Sequence, residues 1–328
     1  SDWDSSTPLF WRPSKLDLDG RQLIPREDQR KLLDFLGIDD PDQWRRSWIS
    51  PSINLGLDAW HPNSSADWLW SLGLPILSLA RSQPARKELI GLSALPGCGK
   101  SSLGQWLETA AHNLGLSLQV ISIDDFYFPA DQLERSMKGN PWGVPRALPG
   151  SHDLQLLQHT LELWRKGHTV QCPRFDKALR NGRGDRSGWR ACHADLLVLE
   201  GWFVGCPAGY EADRQEEGLE PPVTASELAY RKQTEEILRG YQPVWTQLDQ
   251  LWQLRATDHQ SPQLWKRQQE DAMRTTRGSS LNGSELDGFI RMILSAIPSE
   301  TIQNIPADVV FEVDPGRDLT RIHLSRAS

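Results

Sequence analysis

Ala94-Leu95-Pro96-Gly97-Cys98-Gly99-Lys100-Ser101 decides the fold. It follows the β-rich run Glu88–Ala94 and opens a helical run, Ser101–Leu114. Glycines in such a turn let successive backbone N–H groups converge, and the helix that follows adds the positive end of its dipole, so the segment can cradle phosphate oxygens. Gly97, Cys98, Gly99, Lys100, Ser101 and Ser102 form the expected cradle, in which Lys100 reaches the outer phosphates and the Ser101 hydroxyl can ligate Mg²⁺. The usual pattern begins with Gly, whereas Ala94 stands first here. The strand–loop–helix setting predicts a nucleoside-triphosphate site with Mg²⁺ as an expected cofactor.

Outward from this loop, short β-rich runs alternate with helical stretches, as a parallel α/β sheet requires. The predicted strands are Glu88–Ala94, Leu116–Ile123, Thr169–Arg174, Asp195–Glu200, Asp249–Arg255 and Val309–Val313. Predicted helices between them are Ser101–Leu114, His152–Lys166, Ser226–Gly240, Pro262–Arg277 and Ser284–Ala296. In the second, Leu154, Leu157, Leu161 and Trp164 recur at helical spacing, with Ser151 as the expected N-cap and Gly167 as the C-cap. Ala130–Gly150 and Lys177–Gly188 read as loops. The expected architecture is a P-loop NTPase-type parallel sheet flanked by helices, with a helical lid over residues 262–277. Residues 1–86 are expected to form an N-terminal helical extension packed on the core, and 87–328 the P-loop domain.

Two further segments carry chemistry. Ile123-Asp124-Asp125-Phe126-Tyr127 ends the second predicted strand, at the sheet edge where ligands of open α/β folds bind, and a carboxylate there can orient and deprotonate an alcohol facing the γ-phosphate. Leu196-Leu197-Val198-Leu199-Glu200 is a buried strand that delivers Glu200 to the phosphate side, where it can hold Mg²⁺ directly or through water. Between Arg174 and Arg190, six basic residues face only Asp176 and Asp185, a local reversal of sign in a chain of net charge −7. Guanidinium groups suit a carboxylate or phosphate, so an anionic substrate is indicated. Arg267 and Arg274, seven residues apart, share a helix face and are placed to meet transition-state charge as a lid. His152 is read as helping to start its helix, and Cys98 as a small residue that fits the loop.

Composition narrows the classes. With 328 residues, 38% hydrophobic and 24% charged, the chain is neither collagen, coiled coil nor wholly disordered. Its acidic balance argues against nucleic-acid binding. The longest uncharged apolar stretch, Trp68–Ala80, has 13 residues and contains Pro75, too short to span a bilayer. Without a secretion-type leader the expected location is the cytoplasm. Four cysteines lacking C-x-x-C spacing read as free thiols, and fifteen scattered tryptophans as packing. The expected partner is a small molecule, with no nucleic acid and no membrane, and the chain is expected to act as a monomer.

Together, the loop 93–102, Ser122-Ile123-Asp124-Asp125-Phe126-Tyr127, Gly150-Ser151-His152-Asp153, Pro173-Arg174-Phe175-Asp176-Lys177, Gly182-Arg183-Gly184-Asp185-Arg186 and Leu199-Glu200-Gly201-Trp202 resemble the D-glycerate 3-kinase family of plant and cyanobacterial type. That family sits among the P-loop kinases related to uridine kinase, pantothenate kinase and phosphoribulokinase. The resemblance implies ATP-dependent phosphorylation of D-glycerate to 3-phosphoglycerate, the closing step of photorespiratory carbon recovery. It further implies Asp124 as catalytic base, Asp125 as a metal partner or a support behind the groups that touch the metal, and Arg174, Asp176 and Arg186 along the glycerate side. Lys100, Ser101 and Glu200 would serve phosphate and Mg²⁺, and the lid would span Trp265-Lys266-Arg267 to Met273-Arg274. The chain departs from the family at Leu95-Pro96 and at Phe203-Val204-Gly205-Cys206, changes that remove no chemical group from this scheme. Two alternatives stay open: a kinase for another small alcohol, pantothenate-like or nucleoside-like, and a P-loop ATP-binding regulatory protein without an acceptor.

Overall fold

A strand buried on both faces must be apolar almost throughout, and the two most continuous such runs of the chain, Glu88–Ala94 and Leu196–Gly201, pair in parallel at the centre of a computed structural model. The structure describes residues 20–57, 65–82, 86–278 and 280–325. The first elements are α1 (Arg26–Phe35), α2 (Pro41–Ile49), a π-helical turn at Trp68–Gly73, α3 (Leu74–Ser82), β1 (Glu88–Ala94), α4 (Lys100–Leu114) and β2 (Leu118–Ser122). A 3₁₀ turn (Ile123–Phe126) leads to α5 (Ala130–Met137), α6 (Leu154–Arg165), β3 (Val170–Asp176), β4 (Asp185–Cys192), β5 (Leu196–Gly201) and α7 (Ala225–Arg239). The chain continues through α8 (Gln242–Trp245), β6 (Gln250–Ala256), α9 (Ser261–Arg277), α10 (Gly283–Ser295), α11 (Ser299–Gln303), β7 (Val309–Val313) and β8 (Leu319–Leu324).

The main sheet has the order β2-β5-β1-β6-β7-β8, parallel except for β8. Five strands therefore end on one edge, and the chain crosses that edge after β1, β2 and β5. α4 lies against β2, and its buried residues Leu103, Trp106, Leu107, Ala110 and Ala111 fall on one helical face.

Three expectations are corrected. The strand expected at Thr169–Arg174 does not join the parallel sheet; β3 pairs antiparallel with β4 as a separate hairpin. β4 starts inside 177–188, which read as a loop, because its burial alternates between partly buried and exposed and offers no apolar run. α6 begins later than expected: the N-cap is Asp153, whose carboxylate accepts the Leu156 N–H at 3.0 Å, not Ser151. α5, within the stretch read as a loop, and edge strand β8 were not foreseen.

The buried apolar residues described before β1 belong to the same apolar cluster as the sheet. Asp28 of α1 accepts the Ile322 N–H of β8 at 3.0 Å and pairs with Arg321 at 2.8 Å. Trp68 is fully buried, donates from Nε1 to the Arg317 carbonyl at 2.6 Å, and its ring lies 3.4 Å from where a Cβ on Gly99 would sit. Every described tryptophan except Trp189 is buried; Trp3, Trp11 and Trp60 lie outside the described residues. Among the described residues no helix is long and apolar enough to cross a membrane. Trp68→Ala should cost about 3–5 kcal/mol, measured by urea unfolding, because a cavity opens directly behind the phosphate loop; a loss below about 1 kcal/mol would mean the segment packs only loosely on the core.

Candidate active site

The turn between β1 and α4 needs backbone conformations that side chains avoid: φ is +80° at Gly97 and +116° at Gly99. α4 begins at Lys100, so the unpaired N–H groups of its first turn border the loop. The loop is fixed from outside. Arg317, on the β7–β8 turn, donates from Nε to the Gly97 carbonyl at 2.7 Å, and a Cβ on Gly97 would sit 2.6 Å from the Trp265 carbonyl carbon of α9. Trp265 in turn donates to the Pro315 carbonyl at 2.9 Å. Neither Arg317 nor this use of Trp265 was legible in the sequence, since both lie over 160 residues along the chain from the loop. Cys98 is buried, and burial pushes its thiol up to about 12, so it is an unreactive packing residue.

β5 lies between β1 and β2, and its Glu200 pairs in register with Leu92 and Ser122. Burial raises the Glu200 carboxyl, while Lys100 pulls it back. Its Oε2 is buried with no protein hydrogen-bond partner. An acid with an open buried oxygen facing a lysine suits a hard divalent cation. Among the described residues no group of three His, Cys, Asp or Glu side chains could hold a metal, so a cation here would need substrate oxygens as well.

After β2, Ser122 accepts the Asp124 N–H at 3.2 Å and starts the 3₁₀ turn that presents both acids. Asp124 Oδ2 is 2.6 Å from Lys177 Nζ of the β3–β4 hairpin. Burial would raise this carboxyl, but Lys177 and then His152 outweigh it and hold Asp124 well below the usual carboxylate range. Asp125 differs: burial raises it, and its Oδ1 is taken by the Phe175 N–H at 3.1 Å, which ties the hairpin to the sheet edge.

The basic run is mostly consumed in structure. Arg180 and Arg183 pair with Glu134, and Arg190 with Glu108 at 2.7 Å. Arg186, expected on the substrate side, donates to the Tyr127 carbonyl at 3.2 Å and keeps a buried, unpartnered Nε. Asp176 accepts the Ala178 N–H at 2.9 Å in the hairpin turn, and Arg174 is exposed, its charge felt at Asp125. Lys177 is the member of the run that reaches Asp124.

On α9, the expected lid cation Arg267 pairs with Asp287 of α10 at 3.0 Å, and Arg274 with Asp271 at 3.5 Å. The buried cation of that helix is instead Lys266, 2.7 Å from Glu270, with burial drawing its ammonium down to about 8. Arg146 is buried too; its guanidinium donates to the Gly182 and Arg183 carbonyls, and its field reaches Tyr127 and Asp124. His152 does not start a helix. It is buried, stacks on Tyr127 with centroids 4.7 Å apart, and lies 2.6 Å from the Tyr241 hydroxyl. Sequence spacing gave no signal for Arg146, Lys266 or Tyr241, which converge only through tertiary folding.

No family model matches the chain. It is 29% identical over 232 residues to an uncharacterized kinase of Schizosaccharomyces pombe, covering 66% of this chain and 82% of that protein. It is 30% identical over 224 residues to the chloroplastic D-glycerate 3-kinase of Arabidopsis thaliana, covering 63% of this chain and 46% of the relative, less than half of the latter's length. Among solved structures, D-glycerate 3-kinase from Cryptococcus neoformans superposes with a TM-score of 0.64 at 22% identity, over 78% of this chain and 97% of that one. At that identity the likeness is one of fold, the α/β P-loop kinase architecture.

Proposed function

We propose that the chain is an ATP-dependent D-glycerate 3-kinase, transferring a phosphoryl group to the 3-hydroxyl of D-glycerate. The observation that carries the reading is the row of groups along one sheet edge: the loop after β1, Glu200 on β5 and Asp124 after β2. Neighbouring strands lie about 4.8 Å apart, so donor loop and acid are separated by roughly 10 Å, room for terminal phosphates and a small acceptor. The Arabidopsis and Cryptococcus relatives are both named D-glycerate 3-kinases, which supports the choice of acceptor. The sequence resemblance extends the reading to photorespiratory glycerate salvage.

In this reading the loop amides and Lys100 hold the outer phosphates of ATP. Ser101 and Glu200 would hold Mg²⁺, which when bound offsets phosphate charge; Asp125, with one oxygen committed to Phe175, ranks behind them. Asp124, kept ionised by Lys177, aligns the primary hydroxyl and takes its proton. Lys177 and Lys266 are balanced by Asp124 and Glu270, so the positive field that favours an acceptor with a carboxylate comes from Arg146, bonded only to carbonyls, and from Arg174 and Arg186. Asp176 supports this side through the hairpin turn. Arg267 is half exposed in its pair with Asp287, and such pairs contribute about 0–1 kcal/mol, so closure over the phosphates can release it.

ADP release should depend on an added alcohol: with Mg·ATP alone, turnover should be at least about 100-fold slower than with D-glycerate. Equal rates would favour an ATP-binding regulatory protein. Glu200→Gln should raise the Mg²⁺ concentration for half-maximal rate by about 10-fold or more, since the open oxygen loses its charge; a titration that overlays wild type would make Glu200 structural.

A further inference from the structure

The transfer just described leaves one buried group of the acceptor side without a task. His152 Nε2 is buried and has no hydrogen-bond partner, and Asp124 Oδ1 stands 3.9 Å from it, beyond hydrogen-bond reach. Which ring nitrogen carries the proton follows from Tyr241. The Tyr241 oxygen accepts the Gly150 N–H at 2.9 Å and faces the backbone N–H of His152 as well. Tyr241 is fully buried, and His152 Nδ1, at 2.6 Å, is the acceptor within reach of its own proton. Nδ1 is thereby the acceptor of that bond. Burial pushes the imidazole down, so the ring is neutral and its single proton sits on Nε2.

The site thus presents the Nε2–H donor beside the ionised Asp124 carboxylate, which the Tyr127 hydroxyl faces as well. A single oxygen lying about 2.8 Å from each would bridge the gap between them. A hydroxyl is matched to that notch, because it has a proton for the carboxylate and a lone pair for the N–H. A carboxylate oxygen would be repelled by Asp124, and an ammonium has no lone pair for His152. Lys177 holds Asp124 Oδ2, and Oδ1 is the oxygen that stands nearer to His152.

We propose that His152 is the residue that selects the reacting hydroxyl, its Nε2–H donating to the oxygen whose proton Asp124 takes. The proposal rests on the alcohol-kinase reading and deepens it. In the step, the O–H bond breaks with its proton passing to Asp124, the oxygen forms a bond to the γ-phosphorus, and the bond from that phosphorus to the β,γ-bridging oxygen breaks to release ADP. His152 keeps its proton throughout and acts by holding the oxygen in line, so its loss should scatter the choice of hydroxyl as well as slow the reaction.

The test uses the full chain labelled with ¹⁵N-histidine. The expected spectrum of the free protein has His152 protonated on Nε2 alone, and D-glycerate added with Mg²⁺ and a non-hydrolysable ATP analogue should shift Nε2 more than Nδ1. His152→Asn, which moves the amide donor to the Nδ1 position, should lose about 100-fold in kcat/KM for the alcohol with KM for ATP within about two-fold, and should yield a mixture of phosphate positions. His152→Gln, whose amide N–H can reach the Nε2 position, should recover most of the loss and a single product. Protonation on Nδ1, or an Asn variant with wild-type kcat/KM and one product, would overturn the proposal. If D-glycerate supports no turnover in the wild type, the substrate reading falls by itself, while the tautomer in the free protein still decides the donor.

Discussion

Lys100→Ala should cut phosphoryl transfer by about 10³-fold or more, about 4 kcal/mol of transition-state stabilisation. The reason is geometric. Lys100 is the first residue of α4, directly after Gly99 with its left-handed φ of +116°, and the loop beneath it is held by Arg317 and Trp265. In the proposed reaction the ammonium would meet the charge that builds on the transferring group, from a loop that is already fixed. Folding should be unaffected, since Lys100 is only partly buried, and the urea midpoint checks this. The measurement is single-turnover transfer from labelled ATP. A variant within about 10-fold of wild type would mean that the loop is not the donor site.

Asp124→Asn should lose about 10²–10⁴-fold in kcat while ATP binding stays within a few-fold, because the proton acceptor is removed and the loop after β1 is untouched. The amide is isosteric and cannot take the proton. It also leaves Lys177 without its counter-ion; Lys177 is about two-fifths exposed, so water can solvate it and the stability loss should be small. ATP affinity by calorimetry and kcat with saturating acceptor separate the two effects. An unchanged kcat would take Asp124 out of the mechanism, and a collapse of ATP binding would make it part of the donor site instead.

The sequence showed most clearly what is local. A strand, a glycine turn and a helix follow one another without interruption, so Glu88–Ala94 was bounded correctly and Lys100 and Ser101 were placed at the mouth of α4. Glu200 was legible because a strand buried on both faces must be apolar, which makes its terminal acid conspicuous. The β3–β4 hairpin was not, since it stands off the main sheet and its second strand alternates without an apolar face. Contacts made across long stretches of chain were hardest to foresee, on the acceptor side and behind the loop alike. Lys177 meets Asp124 from 53 residues away, Tyr241 meets His152 from 89, and Arg317 reaches Gly97 across 220. Each is an ordinary polar residue in sequence and gains meaning only from burial and a partner. The lid arginines show the reverse: spacing put Arg267 and Arg274 on one face, and the structure pairs both with acids while Lys266 points into the protein.

The central claim is that one sheet edge joins an ATP site to an acid that activates the 3-hydroxyl of D-glycerate. Incubating the protein with Mg·ATP and D-glycerate and identifying the product, by coupling enzymes specific for 3-phosphoglycerate and for 2-phosphoglycerate, tests it directly, with L-glycerate, uridine and pantothenate as competing acceptors. The account predicts 3-phosphoglycerate as the sole phosphate ester and D-glycerate as the preferred acceptor. Formation of 2-phosphoglycerate, or turnover with another alcohol and none with D-glycerate, would contradict it.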